Sequence, residues 1–278
     1  LIAGAALILL FLEKKRPLRK TRQDKIRRNA RNLAMGIMTA ATIRASEKPL
    51  VIRIMKEAER HNIGLLRLIR MPVWLELFLS VVLLDYTLFI WHYLTHKVPL
   101  LWRLHQAHHV DLDLDASTAL RFHPGEMFLS APWRGAQVFF LGISPLALSI
   151  WQTATLLEIL FHHSNVELPI DFERRLCRLF VTPRIHGIHH SIVREETDSN
   201  WSTIFSWPDY VHGTLRRNVP QREITIGVPA FQDPAELRLG GVLEMPFTAD
   251  RPSWRFTGNG TPKRDREGLP SSRAELIA

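Results

Sequence analysis

Cysteine occurs once in the 278-residue sequence, at Cys177. A single thiol excludes a disulfide framework and any thiolate-held zinc ribbon or iron–sulfur cluster. A metal in this chain must therefore be held by histidine and carboxylate. The His-Glu-x-x-His signature of zinc proteases is absent, and so is the glycine-rich fingerprint of nicotinamide and flavin enzymes. Electrons for any redox step would have to come from outside the chain. Past Val219, alternation of polar and apolar residues is confined to 223–228, the only strand expected there. No internal repeat occurs apart from a duplicated histidine spacing.

Excess charge is also missing from most of the chain. The net charge is +9, but residues 13–31 hold ten Lys/Arg against Glu13 and Asp24, a net of +8, and leave the remainder nearly neutral. A basic block beside the apolar run 1–12 reads as the cytoplasmic flank of a membrane segment and not as a nucleic-acid groove. Apolar run before basic block reverses the order of a signal peptide. Residues 1–12 are too short to span alone, and the expectation is a truncated first span. Residues 33–43 are apolar, but Arg44, Glu47, Lys48, Arg53, Lys56 and Glu57 interrupt the next stretch and favour a membrane-associated helix over a clean span.

The strongest transmembrane stretch is 72–94, long enough to cross a core of ~30 Å. It carries one acid, Asp85, two helical turns before His92. Two roles are open to Asp85: accepting a hydrogen bond from a metal-bound imidazole, or bonding within a helix bundle. A second apolar stretch, 132–163, is broken at Gly142 and Ser144-Pro145 and predicts a helical hairpin or re-entrant pair. It ends with Glu158 and His162 at i, i+4, so Glu158 is either a carboxylate of a metal site or a buried acid paired with arginine. Thr182-Pro183 opens one more helix.

Eleven of the thirteen histidines fall between 92 and 190. His92 and His96 share a helical face, as do His105, His108 and His109, and the His-x-x-His-His spacing returns at His186, His189 and His190. His123, His162 and His163 lie between. Eight histidines in three boxes with up to three more are too many for one tetrahedral zinc and suit two ions. Imidazole also binds iron, copper and nickel, so ligand type does not choose the metal.

The order Asp85, His92-x-x-x-His96, Leu101-Trp-Arg-Leu-His105-x-x-His108-His109, Arg121-Phe-His123-Pro, His163-Ser-Asn165, Thr182-Pro-x-x-His186-x-x-His189-His190-Ser, Asn200-Trp and Gly213-Thr resembles the fatty acid hydroxylase / sterol desaturase superfamily. Residues 219–230 resemble a bacterial branch of it. The resemblance implies an all-α fold: an integral membrane helical bundle with a cytosolic histidine-rich helical cap holding a di-metal site. It implies two non-haem irons, O2 as cosubstrate, an external electron-transfer protein and no nucleic acid. The activity implied is hydroxylation or desaturation of a lipid or sterol-like substrate; the alternative is a metal-binding membrane protein or transporter without turnover. The metal ligands expected are His92, His96, His105, His108, His109, His123, His162, His163, His186, His189 and His190, with Asp85, Glu158, Asn165 and Asn200 as catalytic-centre residues. The expected organisation is a membrane-associated segment 1–71, a catalytic domain 72–218 and a partly disordered soluble tail 219–278. The expected location is a multi-pass protein of a bacterial inner membrane with its active site facing the cytoplasm.

Overall fold

A computed structural model describes residues 1–248, 251–258 and 260–264. The longest helix formed without a break in geometry is α4 (Val73–Lys97), which starts where extended Pro72 ends the preceding loop. It is the one described helix long and apolar enough to cross a membrane. Val73 and Trp74 are 65% and 69% exposed on its outer face, a surface suited to hydrocarbon and not to water.

The stretch 132–163 is a helical hairpin, as its breaks predict. Its first limb, α6 (Pro124–Leu141), begins earlier than the apolar run because His123 caps it and Pro132 is accommodated inside. Gly142 ends α6 in the left-handed conformation, and Ser144 caps α7 (Pro145–His163) by accepting from the Ala147 N–H. At this turn a Cβ on Gly64 would stand 2.2 Å from the Gly142 Cα, so the two loops touch through bare backbone.

The charged region before α4 forms one rod in three pieces: α2 (Lys25–Thr42), a π-helical turn (Ile43–Glu47) and α3 (Lys48–Arg60). The π turn and α3 pack on α6, α4 packs on α7, and α1 (Ile2–Lys15) packs on α7 from the other side. Past α4, Val98-Pro99 turns the chain sharply into α5 (Pro99–His109). The short helices α8 (Ile170–Leu176), α9 (Pro183–His189), α10 (Arg194–Thr197) and α11 (Trp207–Val211) come after the hairpin, and α12 (Leu239–Glu244) after them.

No strand occurs among the described residues. The strand expected at 223–228 is replaced by an isolated bridge between Ser191 and Ile226, and the alternation reflects Ile224, Ile226 and Val228 turning into the core. Residues past 218 are packed onto the histidine helices. Val228, Ala230, Phe231 and Leu237 bury against Met35, Ala107 and Val110, while Ile224 and Ile226 bury against Leu114 and Ile188. The sequence leads one to expect disorder over 256–278, but Arg264 there is held by Glu196 and Glu223; residues 259 and 265–278 lie outside the described residues.

Part of the basic block is spent inside the protein. Arg28, fully buried, contacts Asp111 at 3.0 Å and Asp115 at 2.6 Å and donates to Thr118 Oγ1. Arg121 donates to the Ala107 carbonyl and to Asn32, which in turn donates to Asp111. The block is therefore also a clamp on the loop after α5. Lys14, Lys15, Arg16, Lys20, Arg22 and Arg27 are the members left exposed.

Burial alone would raise the Asp111 carboxyl, but Arg28, Arg121 and Arg31 hold it down to about 2. A depressed carboxyl stabilises the fold above its unfolded pKa of about 4, and that stabilisation disappears as pH falls toward 2. Replacing Arg28 with Met takes from Asp111 and Asp115 their shared buried cation and should cost about 3–5 kcal/mol. Unfolding followed in detergent should show a lower midpoint at pH 7; an unchanged midpoint would remove the clamp from the account of the fold.

Candidate metal centre

The histidines converge because three helix ends and one hairpin end meet at the same place. α4 brings His92 and His96 in its last two turns, α5 brings His105, His108 and His109, α7 brings His163 at its final residue, and α9 brings His186, His189 and the adjoining His190. They form two groups. In the first, His92, His96, His105, His109 and His189 place one nitrogen each within 4.8 Å of one another; in the second, His108, His163, His186 and His190 do the same.

In the second group the four Nε2 atoms crowd together, 3.0 Å from His108 to His163, 3.0 Å from His163 to His186 and 3.1 Å from His186 to His190. Two nitrogens each ~2.1 Å from one ion and about a right angle apart stand ~3.0 Å from each other. In the first group Nε2 of His96, His105, His109 and His189 is buried without a hydrogen-bond partner. Buried polar atoms normally find partners, so a set of orphaned lone pairs facing one point fits a metal ion.

The outward nitrogens explain why the lone pairs point inward. His92 Nδ1 donates to the Trp201 carbonyl at 2.8 Å, His189 Nδ1 to the Ser199 carbonyl at 2.8 Å and His163 Nδ1 to the Ile159 carbonyl at 2.7 Å. A carbonyl can only accept, so each imidazole carries its proton outside and leaves Nε2 free. His105 Nδ1 lies 2.9 Å from Glu126 Oε1. Burial first, and then the neighbouring imidazoles, push His108, His109, His186 and His190 well below the usual imidazole range. Burial brings His189 to about 3. All are neutral at pH 7, the form that binds metal.

The remaining expected residues fall elsewhere. His123 is consumed by capping: its Nδ1 accepts from the Gly125 N–H and its Nε2 donates to the Leu243 carbonyl, so it joins neither group. His162 lies tilted against the His186 ring, 4.1 Å between centroids, and bonds to the Thr203 backbone, outside both groups. Glu158 also lies outside them, with Oε1 unpartnered and no arginine paired to it. Asp85 touches no imidazole. It accepts from the backbone N–H groups of Ile204 and Phe205, both at 3.1 Å, and so fixes the loop whose Trp201 carbonyl holds His92. Asn200, at φ 57°, donates to the Ile185 and Arg216 carbonyls and holds the same loop. Asn165 pairs with the Arg19 backbone and ties residues 16–19 to the end of α7.

Glu126 is the residue that sequence reading missed, and its only signal was a carboxylate three residues after His123. Asp209, which accepts from the Trp201 and Ser202 N–H groups, had none. A cavity of about 430 Å³ opens onto both groups, with His92, His105, His108, His163 and His186 in its wall and Trp91 and Trp133 beyond them.

A family model described as fatty acid hydroxylase matches residues 77–214, about half the chain. The chain is 29% identical over 161 residues to the ornithine lipid hydroxylase OlsE of Rhizobium tropici, covering 56% of this chain and 46% of that protein. It is 29% identical over 152 residues to a cholesterol 25-hydroxylase-like protein of Danio rerio, covering 51% and 56%. It is 29% identical over 142 residues to the alkylglycerol monooxygenase of Homo sapiens, covering 51% and 30%. The chain thus spans about half or less of the length of these curated relatives. No solved structure matches.

Metal analysis separates the two groups. His190→Ala should lose the metal of the second group and keep that of the first, whereas His123→Ala should keep both. Glu126→Gln should weaken metal at the first group by about 10- to 100-fold, the usual cost of a lost outer partner. Because the folded imidazoles sit below their unfolded pKa of about 6.5, acid protonates the unfolded form first and unfolds the site. Metal should therefore leave as pH falls from about 6.5 toward 3. Retention undiminished below that window would show ligands other than imidazole.

Proposed function

Because the chain belongs to the fatty acid hydroxylase family, we propose that its two histidine groups hold two iron ions in a membrane-bound oxygenase. The reaction would use O2 and electrons from an external carrier to oxidise a C–H bond of a lipid or sterol-like substrate. The observation that carries this reading is the largely apolar cavity that ends on imidazoles of both groups. Bound iron would supply the activation of O2 needed to attack an unactivated carbon. For each C–H converted to an alcohol, O2, two electrons and two protons are consumed and one water is released.

The chain's own part is positioning and exclusion. Neutral imidazoles fixed through carbonyls and Glu126 keep the ligand lone pairs aimed inward, and Trp91, Phe122, Met127 and Trp133 keep water from the cavity wall. A transporter would need ionisable ligands strung along several spans; here both groups collect at one end of the helices.

We assign that end to the cytoplasm of a bacterial inner membrane. The start of α2 bonds through Arg28 to the loop beside His109, while the loop after α3 touches the far turn of the α6–α7 hairpin. The rod of α2, π turn and α3 therefore runs the length of the bundle on α6, and α4 returns packed on α6 and α7. This supports one crossing before α4 and puts the basic block on the side of the metals, where positive charge is retained.

Purified protein should contain two iron per chain and take up O2 in the presence of a reductant and a lipid extract, with an oxidised lipid seen by mass spectrometry. Metal-replete protein without lipid-dependent O2 uptake would sink the enzymatic reading. In a Cys177→Ser background, Arg22→Cys should be protected from an impermeant thiol reagent in intact cells and His61→Cys should be labelled. The opposite pattern would invert the topology.

A further inference from the structure

The cavity has a second end that the oxidation chemistry leaves unused. Glu126 lies at the metal end of α6; Arg134, eight residues on and thus ~12 Å along the axis, lines the same cavity with Glu47 of the π turn and Gln152 of α7. Arg134 Nε and Glu47 Oε1 stand 3.7 Å apart, too far for a hydrogen bond. The guanidinium donates from Nη1 to Gln137 and lies 4.2 Å over the Trp151 ring, yet its Nε is buried without a partner. An ion pair at this depth that served only the fold would close on itself through hydrogen bonds. This pair stands open toward a cavity whose remaining wall is mostly apolar. Glu47 also belongs to a π-helical turn, an irregularity that frequently marks functional sites.

We propose that Arg134, Glu47 and Gln152 anchor the polar terminus of the substrate, and that this terminus is an uncharged hydroxyl. The inference rests on the cavity being the substrate path of the proposed oxygenase. A hydroxyl both donates and accepts, so it can bridge the 3.7 Å gap by accepting from Arg134 and donating to Glu47. A carboxylate would gain Arg134 but face Glu47, and a plain hydrocarbon would leave the guanidinium buried and unpaired. The substrate is then a lipid alcohol held by its head, with the oxidised carbon set by distance from that head. The anchor lies ~12 Å from the metal end along α6 and ~16 Å along α7, from Gln152 to His163. At ~1.2 Å per bond of extended chain, oxidation falls roughly ten to fourteen bonds from the hydroxyl.

The test is binding, read by quenching of tryptophan fluorescence in the purified full chain. Three mid-chain-brominated probes of one length are compared: a long-chain alcohol, the carboxylic acid and the alkane. Wild-type protein should prefer the alcohol over both others by about tenfold, the size of one hydrogen bond to a charged group. Glu47→Gln, nearly isosteric, should reverse the order of alcohol and acid by leaving Arg134 unopposed. Gln152→Leu, which disturbs no ion pair, should weaken the alcohol several-fold and leave the alkane unchanged. Equal binding of the three probes, preference for the acid in wild type, or an order that Glu47→Gln does not alter would each overturn the proposal. Iron content and O2 uptake are measured on the same samples. Loss of the probe order with both retained refutes the anchor alone, and absence of both with the order retained refutes the oxygenase reading alone.

Discussion

The structure depends on an imidazole having two nitrogens, of which only one can face a metal. Nine histidines gathered in a buried space would be an assembly of unpaired dipoles unless the outward nitrogen of each fixed ring met an acceptor. For His92 and His189 the acceptors are carbonyls of a single loop, at Trp201 and Ser199. The polar residues that looked as if they belonged to the chemistry hold that loop: Asp85 from α4, Asp209 from α11 and Asn200 from within. An acid inside a membrane helix is thereby used to fasten backbone, and its effect reaches the metal only through the loop.

How much of this was legible in the sequence depended on how local each relation is. Helical period gives the two faces of His92–His96 and His105–His109, and the repeated spacing at His186–His190 identifies the matching third set. The hairpin breaks at Gly142 and Pro145 were equally plain, since each residue acts on its own backbone. Asp85 and His92 do lie on one face, but shared face does not say which segment comes between them, and the loop at 201–206 does. His123 shows the same limit from the other side: it has the right side chain and a suggestive position, yet an N-cap and the Leu243 carbonyl consume both its nitrogens. Glu126 sits twenty-one residues from the histidine it supports, a relation that exists only once α5 and α6 have packed.

The basic segment shows how one run of charge can serve two solvents. Arg28, Arg31 and Lys25 turn inward toward Asp111, Asp115 and Glu13, while the exposed members remain available to lipid headgroups. Counting charge gave its sign and its place in the chain. It could not apportion the residues, because Asp111 and Asp115 lie some eighty positions further on, in the loop after α5. The clamp they make places that loop, and with it the base of His108 and His109, against α2.

The two metal groups differ in how much of the chain each requires. Four of the five histidines of the first group lie on α4 and α5, a single helical corner turned by Val98 and Pro99. The second group takes its four from α5, α7 and α9, spread over eighty-three positions from His108 to His190. In chain order the first pocket has four of its five histidines once that corner has formed, whereas the second has one until the hairpin and α9 bring three more. The first group is thus a property of one local corner, and the second of the packed bundle.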